Sequence, residues 1–165
     1  MFSALAANKG GIIYAFEPVE YVRKQYLKKT AALNKNINIV PLALSNENSV
    51  AELHIRNNNI SGASIIKSFP NGRTEYIHTI TLDDWVKQNN IPRIDFIKVD
   101  IGGAERLMLE GAQEVLKRFA PKLAICTDHF PDDKEVLTNL ILKANPNYKI
   151  EDVEHAWKKL YAWGK

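Results

Sequence analysis

From Ile94 to Thr127 the chain reads as a strand, a helix and a second strand, and this order constrains the fold more than any other stretch. Ile94 to Val99 mixes aromatic and β-branched residues, the make-up of a core strand. Ala104 to Phe119 follows as a helix: Ala104, Leu107, Met108, Ala112, Val115, Leu116 and Phe119 form one apolar stripe, and Pro121 stops it. Lys122 to Thr127 is again a strand. Strands that alternate with amphipathic helices build a parallel sheet.

The rest of the chain extends this pattern. Met1 to Ala7 reads as the end of a helix, and Ile12 to Phe16 as a strand between Gly10-Gly11 and Glu17-Pro18. Val19 to Leu33 has near-helical apolar spacing, with Asn34 as its cap. Ile37 to Leu44, interrupted by Pro41, reads as one strand. The segment at about 46–81 changes character: Ala51 to Arg56 and Tyr76 to Ile80 alternate around a polar Asn57-Asn58-Asn59, which predicts a β-hairpin or meander inserted at one end of the sheet. Short and longer helices are expected at Asp83 to Gln88 and Pro131 to Ala144. Tyr148 to Val153 and Lys159 to Trp163 close the chain as an antiparallel pair. The expected fold is α/β, one domain over residues 1–165. It is a Rossmann-like, doubly wound, mostly parallel sheet with helices on both faces and a C-terminal antiparallel hairpin.

A chain of 165 residues with 45% apolar content buries a core without staples. The net charge of +3 is mild, and its densest basic group, Arg23, Lys24, Lys28 and Lys29, falls on a predicted helix face. A solvated face accounts for that group, so no nucleic-acid partner is expected. The single cysteine, Cys126, excludes an intramolecular disulfide and sits in an apolar run as a buried, inert thiol. No signal-peptide pattern and no membrane-spanning run is present, which leads to an expectation of a cytoplasmic protein without a membrane partner.

In such sheets ligands bind beyond the carboxyl ends of the strands, so polar residues there are the candidates for chemistry. Glu17 closes one strand, where a carboxylate can accept from both hydroxyls of a ribose; an exposed strand-end Glu is the plainer reading. Asp100 closes another, followed by Gly102-Gly103, which let a ligand approach the backbone, and by Glu105 in the first turn of a helix. The plainer reading is an ordinary turn with a Glu that compensates the helix dipole. His129 also follows a core strand, and an imidazole that titrates near neutrality suits a general base, although strand-end histidines are often capped or solvated. Asp100, Asp128 and His129 could bind a divalent ion, but their spacing does not fix a geometry and no metal is assigned. His54, His78 and His155 read as face-filling residues. No Gly-x-Gly-x-x-Gly stands between a strand and a helix, which argues against a nicotinamide oxidoreductase.

Taken in order, YAFEP, VPLALSN, TLDDW, FIKVDIGGAE, LEGAQEVLKRFAPKLAI and the following His resemble the FkbM family of S-adenosylmethionine-dependent methyltransferases, from about Tyr14 to the end. The closing hairpin also suits the class I methyltransferase layout. The resemblance implies methyl transfer from S-adenosylmethionine, with O-methylation of a small molecule or sugar. It implies that Glu17 binds the ribose with Phe16 beside it in the cofactor site, that Leu44 and Ser45 border the adenine, and that Asp100 and Glu105 line the reaction end, Asp100 touching the cofactor as well; His129 is the preferred base there. Two departures accompany it. The family has an acidic residue where this chain has Gly102, so the paired glycines are expected to loosen the turn and Glu at 102 to stiffen it. The family pattern also opens with a strand and an Asp-x-Gly-x-x-x-Gly loop that would lie before Met1. The first strand of the usual fold is thus expected to be missing, and a homodimer to cover part of the exposed strand edges. The rival expectation is a non-catalytic remnant that works through self-association or partner binding.

Overall fold

The structure, a computed structural model, describes residues 9–56, 63–154 and 158–164. The helix expected at Met1 to Ala7, and His155, lie outside the described residues. The fold is mixed α/β. Strand β1 (Ile13–Phe16) pairs in parallel with β2 (Ile37–Val40), with Ile13 opposite Ile37 and Phe16 opposite Val40. Helix α1 connects them through three consecutive stretches, Glu20–Val22, a π-helical Arg23–Leu27 and Lys28–Ala32.

Two strands of the insertion, β4 (Ser49–Ile55) and β6 (Arg73–Ile80), pair antiparallel and are flanked by the two-residue strands β3 (Ala43–Leu44) and β5 (Ala63–Ser64) in the order β3-β6-β4-β5. Helix α2 (Leu82–Gln88) then leads to β7 (Phe96–Val99). Helices α3 (Glu105–Glu110) and α4 (Gln113–Phe119) precede β8 (Lys122–Cys126), and α5 (Asp133–Ala144) precedes β9 (Lys149–Glu154) and β10 (Lys158–Trp163). These last strands form a sheet in the order β7-β8-β10-β9, parallel between β7 and β8 and antiparallel elsewhere, so the closing hairpin pairs as the tail pattern predicts.

One core joins the two parallel pairs. Leu109, Leu116, Ile125, Leu137, Ile141 and Leu160 are fully buried within it, and Val40, Trp85 and Val99 belong to the same cluster. Among the described residues β1 pairs only with β2 and β7 only with β8. The rings of Tyr14 and Phe16 meet Trp85 edge-on at 4.8 and 4.9 Å between centroids, which fastens β1 to α2.

Three expectations need correction. The strand expected from Ile37 to Leu44 ends at Val40: proline has no N–H to donate, and beyond Pro41 the chain changes sheets, setting Ala43 and Leu44 beside Thr79 and Ile80 of β6. The insertion, expected as a hairpin or meander, has β5 outside β4 and not between β4 and β6, and its Leu53, Ile55 and Ile77 share an apolar cluster with Val19 from before α1. The helix expected over Ala104 to Phe119 breaks at Gly111-Ala112. A Cβ on Gly111 would lie 2.1 Å from the Ser45 carbonyl oxygen, and the Asp83 carboxylate accepts from Glu114 and Val115 N–H, starting α4 afresh. Among the described residues no helix is long and apolar enough to cross a membrane.

Candidate active site

Because β7 and β8 run parallel with Val99 opposite Ile125, the residues that follow them emerge side by side. After β7, Asp100 is exposed, with the Lys98 ammonium 3.5 Å from its carboxylate. Gly102 and Gly103 then turn the chain with φ of 70° and 102°, in the left-handed region that favours glycine. Glu105 folds back beneath this turn. Its Oε1 accepts from the Ile101 N–H at 2.7 Å, and the residue is only 1% exposed.

After β8 the chain passes Thr127 and Asp128 to His129, whose Nδ1 lies 3.5 Å from Glu105 Oε1 and 3.5 Å from Asp128 Oδ1. That nitrogen is buried, and among the described residues it has no hydrogen bond. A buried polar atom without a partner is uncommon and points to a function or to a missing partner. Asp100, Glu105 and His129 each bring a ligand-capable atom to within 4.8 Å of the others. Cys126, Asp128 and His129 form a second such group. The expected reaction-end residues therefore do meet.

A buried ion pair fixes the loop that carries His129. Asp133, 1% exposed, accepts from the N–H groups of His129 and Phe130 at 3.0 and 2.7 Å, and its other oxygen accepts from Arg106 Nε and Nη2 at 3.0 and 2.8 Å. Arg106 also donates to Asp132, which, first among the causes, holds its guanidinium above the ordinary arginine range. The same contact holds the Asp132 carboxyl below the usual carboxylate range. Helical periodicity alone gives Asp132 and Asp133 no part in the site. The signal it passes over is an Asp four residues after a strand-end His, where a carboxylate can gather loop N–H groups.

Gly102 is not spare. A Cβ there would lie 2.5 Å from the Ala63 carbonyl oxygen of β5, so Glu at 102 would be strained by both its φ and this backbone contact. The expectation that Glu would stiffen the turn is overturned by this close fit. Ser64, 2% exposed, donates from Oγ to the Gly102 carbonyl at 2.7 Å.

Glu17 lies at the end of β1. Its N–H donates to the Val40 carbonyl, and Oε1 accepts from the Val19 N–H at 2.8 Å at the start of α1. Burial pushes its carboxyl above the ordinary 4.5, with the Val19 bond and the Arg23 charge acting against the rise. Phe16 precedes it, half-buried against Trp85. Leu44, on β3, and Ser45, just after it, lie along the insertion sheet. Leu44 pairs with Ile80, and Ser45, 4% exposed, donates its N–H to the Ile80 carbonyl and abuts Gly111.

Cys126 is buried, its thiol donating to Asp128 Oδ1 at 3.0 Å; burial pushes its pKa up to about 12, as befits an inert thiol. His54 meets Thr74 across the insertion strands at 3.2 Å, and His78 is exposed. The TLDDW stretch is architectural. Thr81 caps α2 by accepting from Asp84 N–H, Asp83 caps α4, and Trp85 supports β1.

A sequence model of the methyltransferase FkbM domain matches residues 1–164. Among solved structures, the crystal structure of methyltransferase FkbM from Methylobacillus flagellatus KT aligns over 98% of this chain with a TM-score of 0.62 and 22% identity. At that identity the likeness is one of fold. The chain spans 40% of the length of that methyltransferase. A search of curated proteins gave no match.

Proposed function

The chain belongs to the FkbM methyltransferase domain family, and from that premise we propose that it transfers a methyl group from S-adenosylmethionine to a hydroxyl oxygen of a small molecule or sugar. The observation that carries this reading is the meeting of Asp100, Glu105 and His129 at the carboxyl ends of two adjacent parallel strands. In the same reading β2-β1 and β7-β8-β10-β9 are the two sides of one Rossmann-like, doubly wound sheet.

The donor set suits the cofactor in kind. Glu17 would hold the ribose with Phe16 beside it: one Glu17 oxygen accepts from Val19 N–H, and the other would accept from a hydroxyl. Leu44 and Ser45 would border the adenine by family likeness, through Leu44 and the backbone, since the Ser45 side chain already bonds Asn46. When bound, S-adenosylmethionine supplies a methyl group on a positively charged sulfur, already activated for transfer.

The protein's own residues have two tasks, alignment and proton removal. A hydroxyl acceptor must lose its proton as the new C–O bond forms. Glu105, buried and 3.5 Å from His129 Nδ1, favours a proton on that nitrogen, which leaves Nε2 as the base. Asp100, exposed at the mouth, orients the acceptor through its hydroxyls.

The rival reading, a non-catalytic remnant, leans on Gly102 as a sign of decay. The close fit of Gly102 against Ala63 gives that residue a packing reason, and the presence of Glu17, Asp100 and Glu105 supports the enzyme reading. A cytoplasmic location is part of the same proposal. Self-association is part of the proposal, with a twofold dimer covering Ile12 and Leu33, which are 67% and 88% exposed.

Calorimetric titration with S-adenosylhomocysteine tests the reading. Binding is expected in the wild type, and Glu17→Ala should weaken it by about 1.5–3 kcal/mol, the worth of a hydrogen bond to a charged group. His129→Asn should lower methyl transfer by about 100-fold or more and leave that affinity unchanged. Absence of binding in the wild type refutes the cofactor assignment.

A further inference from the structure

Glu105 and His129 sit on different loops, and the contact between them is long for a hydrogen bond at 3.5 Å. A small displacement of either loop makes or breaks it. What sets their separation is therefore part of the chemistry, and two braces do so. One is the ion pair already described, from Arg106 on α3 through Asp133 to the His129 N–H. The other runs through the insertion.

The second brace starts at Ser64. Its buried hydroxyl donates to the Gly102 carbonyl and accepts from the N–H groups of Ile66 and Lys67 at 3.1 and 3.0 Å, so one atom ties the turn after β7 to the backbone at Lys67. Lys67 then reaches across. Its Nζ donates to the His129 carbonyl at 2.7 Å and lies 4.6 Å from the centre of the Phe130 ring. A charged donor to a carbonyl is stronger than a neutral one, and the cation–π contact adds to it. His129 is thus gripped at both ends of its backbone, at N–H by Asp133 and at C=O by Lys67. Phe130 also backs the turn after β7, where a Cβ on Gly103 would lie 3.0 Å from its Cε2.

We infer that Lys67 is a positioning residue for His129, and that the insertion through it holds the acceptor end in working geometry. The inference rests on the proposed role of His129 and extends it to a segment outside the strand ends. Lys67 acts through the His129 carbonyl, to which its Nζ donates, and not by a bond to the imidazole.

The test compares Lys67→Met with Lys67→Arg in the full chain, by kinetics, by S-adenosylhomocysteine affinity and by the nitrogen NMR shifts of the His129 ring, which report its tautomer. Lys67→Met should lower kcat by about 10- to 100-fold, as misplacement of a catalytic group does. Cofactor affinity should stay within about twofold, since the interaction acts on the chemical step alone. The ring shifts should move toward a mixture of tautomers. Lys67→Arg keeps a cation within reach and should restore both kcat and the ring signature. Ser64→Ala, which frees the other end of the brace, should alter the ring signature in the same direction. Wild-type ring shifts in both Lys67→Met and Ser64→Ala overturn the inference, as does an Arg variant that behaves like Met. The NMR arm needs no turnover. A chain that binds no S-adenosylhomocysteine but shows displaced ring shifts in Lys67→Met would sink the methyltransferase reading and support the brace.

Discussion

Helices α1 and α3 each follow a strand whose end carries candidate site residues, and they are held in opposite ways. Within α1 no residue is buried, Tyr21 and Tyr26 are 47% and 52% exposed, and the strand before it reaches the main core chiefly through Phe16 and Trp85. In α3, Glu105, Met108 and Leu109 are buried to within 1% of completeness, and the turn before it is pinned by Ser64 and backed by Phe130. The difference separates two ways of holding candidate residues. The turn after β7 is organised in advance by the protein's own packing, the condition under which catalytic groups need no rearrangement. The end of β1 is shaped by a few local bonds, those of Glu17 to Val19 and of Arg23 to the carbonyls of Glu17 and Pro18.

The largest test of this contrast removes the bridge between the halves. Trp85→Ala should cost about 3–5 kcal/mol in urea unfolding, the usual toll of deleting a buried aromatic. A loss under about 1 kcal/mol would mean that β1 is held by something other than Trp85. Next comes Asp133→Ala, which leaves Arg106 without its buried partner and frees two loop N–H groups. Arg106 is about a quarter exposed, so the expected loss is about 2–4 kcal/mol, somewhat below that of a fully buried pair. Equal stability in that variant would show the loop that carries His129 to be less organised than its bonds suggest.

A smaller effect belongs to Glu17. Its folded carboxyl keeps a proton at pH values where the unfolded chain, near 4.5, has lost one. Folding is then favoured by this group below that value, and the benefit falls as the pH rises through the raised folded value. Glu17→Gln cannot ionise, so melting temperatures followed from roughly pH 4 to 7 should show a flatter decline than in the wild type. Parallel curves would remove burial as the cause. The smallest effect is expected for Tyr26→Ala on α1, within about 0.5 kcal/mol of wild type, since the ring is half in solvent. A loss as large as that of Asp133→Ala would erase the contrast.

Periodicity made the β7–α3–β8 unit legible, because the apolar stripe from Ala104 to Phe119 does face the core. It could not show the break at Gly111, which depends on the Ser45 carbonyl, a contact made 66 positions away in the chain. The same limit hid the change of sheet after Pro41: an alternating run looks alike whichever neighbour it pairs with. At the site, Asp100, Glu105 and His129 could be named because strand ends collect ligands. Lys67, Ser64 and Asp133 could not, since each acts on backbone groups of a loop distant in sequence, and no spacing rule encodes such a contact. Gly102 was visible but misjudged, as its neighbour Ala63 belongs to a segment whose pairing the sequence leaves open.

The fit of Gly102 under Ala63 also bears on how such a chain can change. With 2.5 Å between a would-be side chain and a backbone oxygen, the turn accepts a larger residue only if the insertion is shaped differently. Position 102 and the insertion are therefore coupled through this one contact. A chimera that takes the insertion from a relative with an acid at this position should tolerate the acid only when both are exchanged together, and either exchange alone should fold poorly.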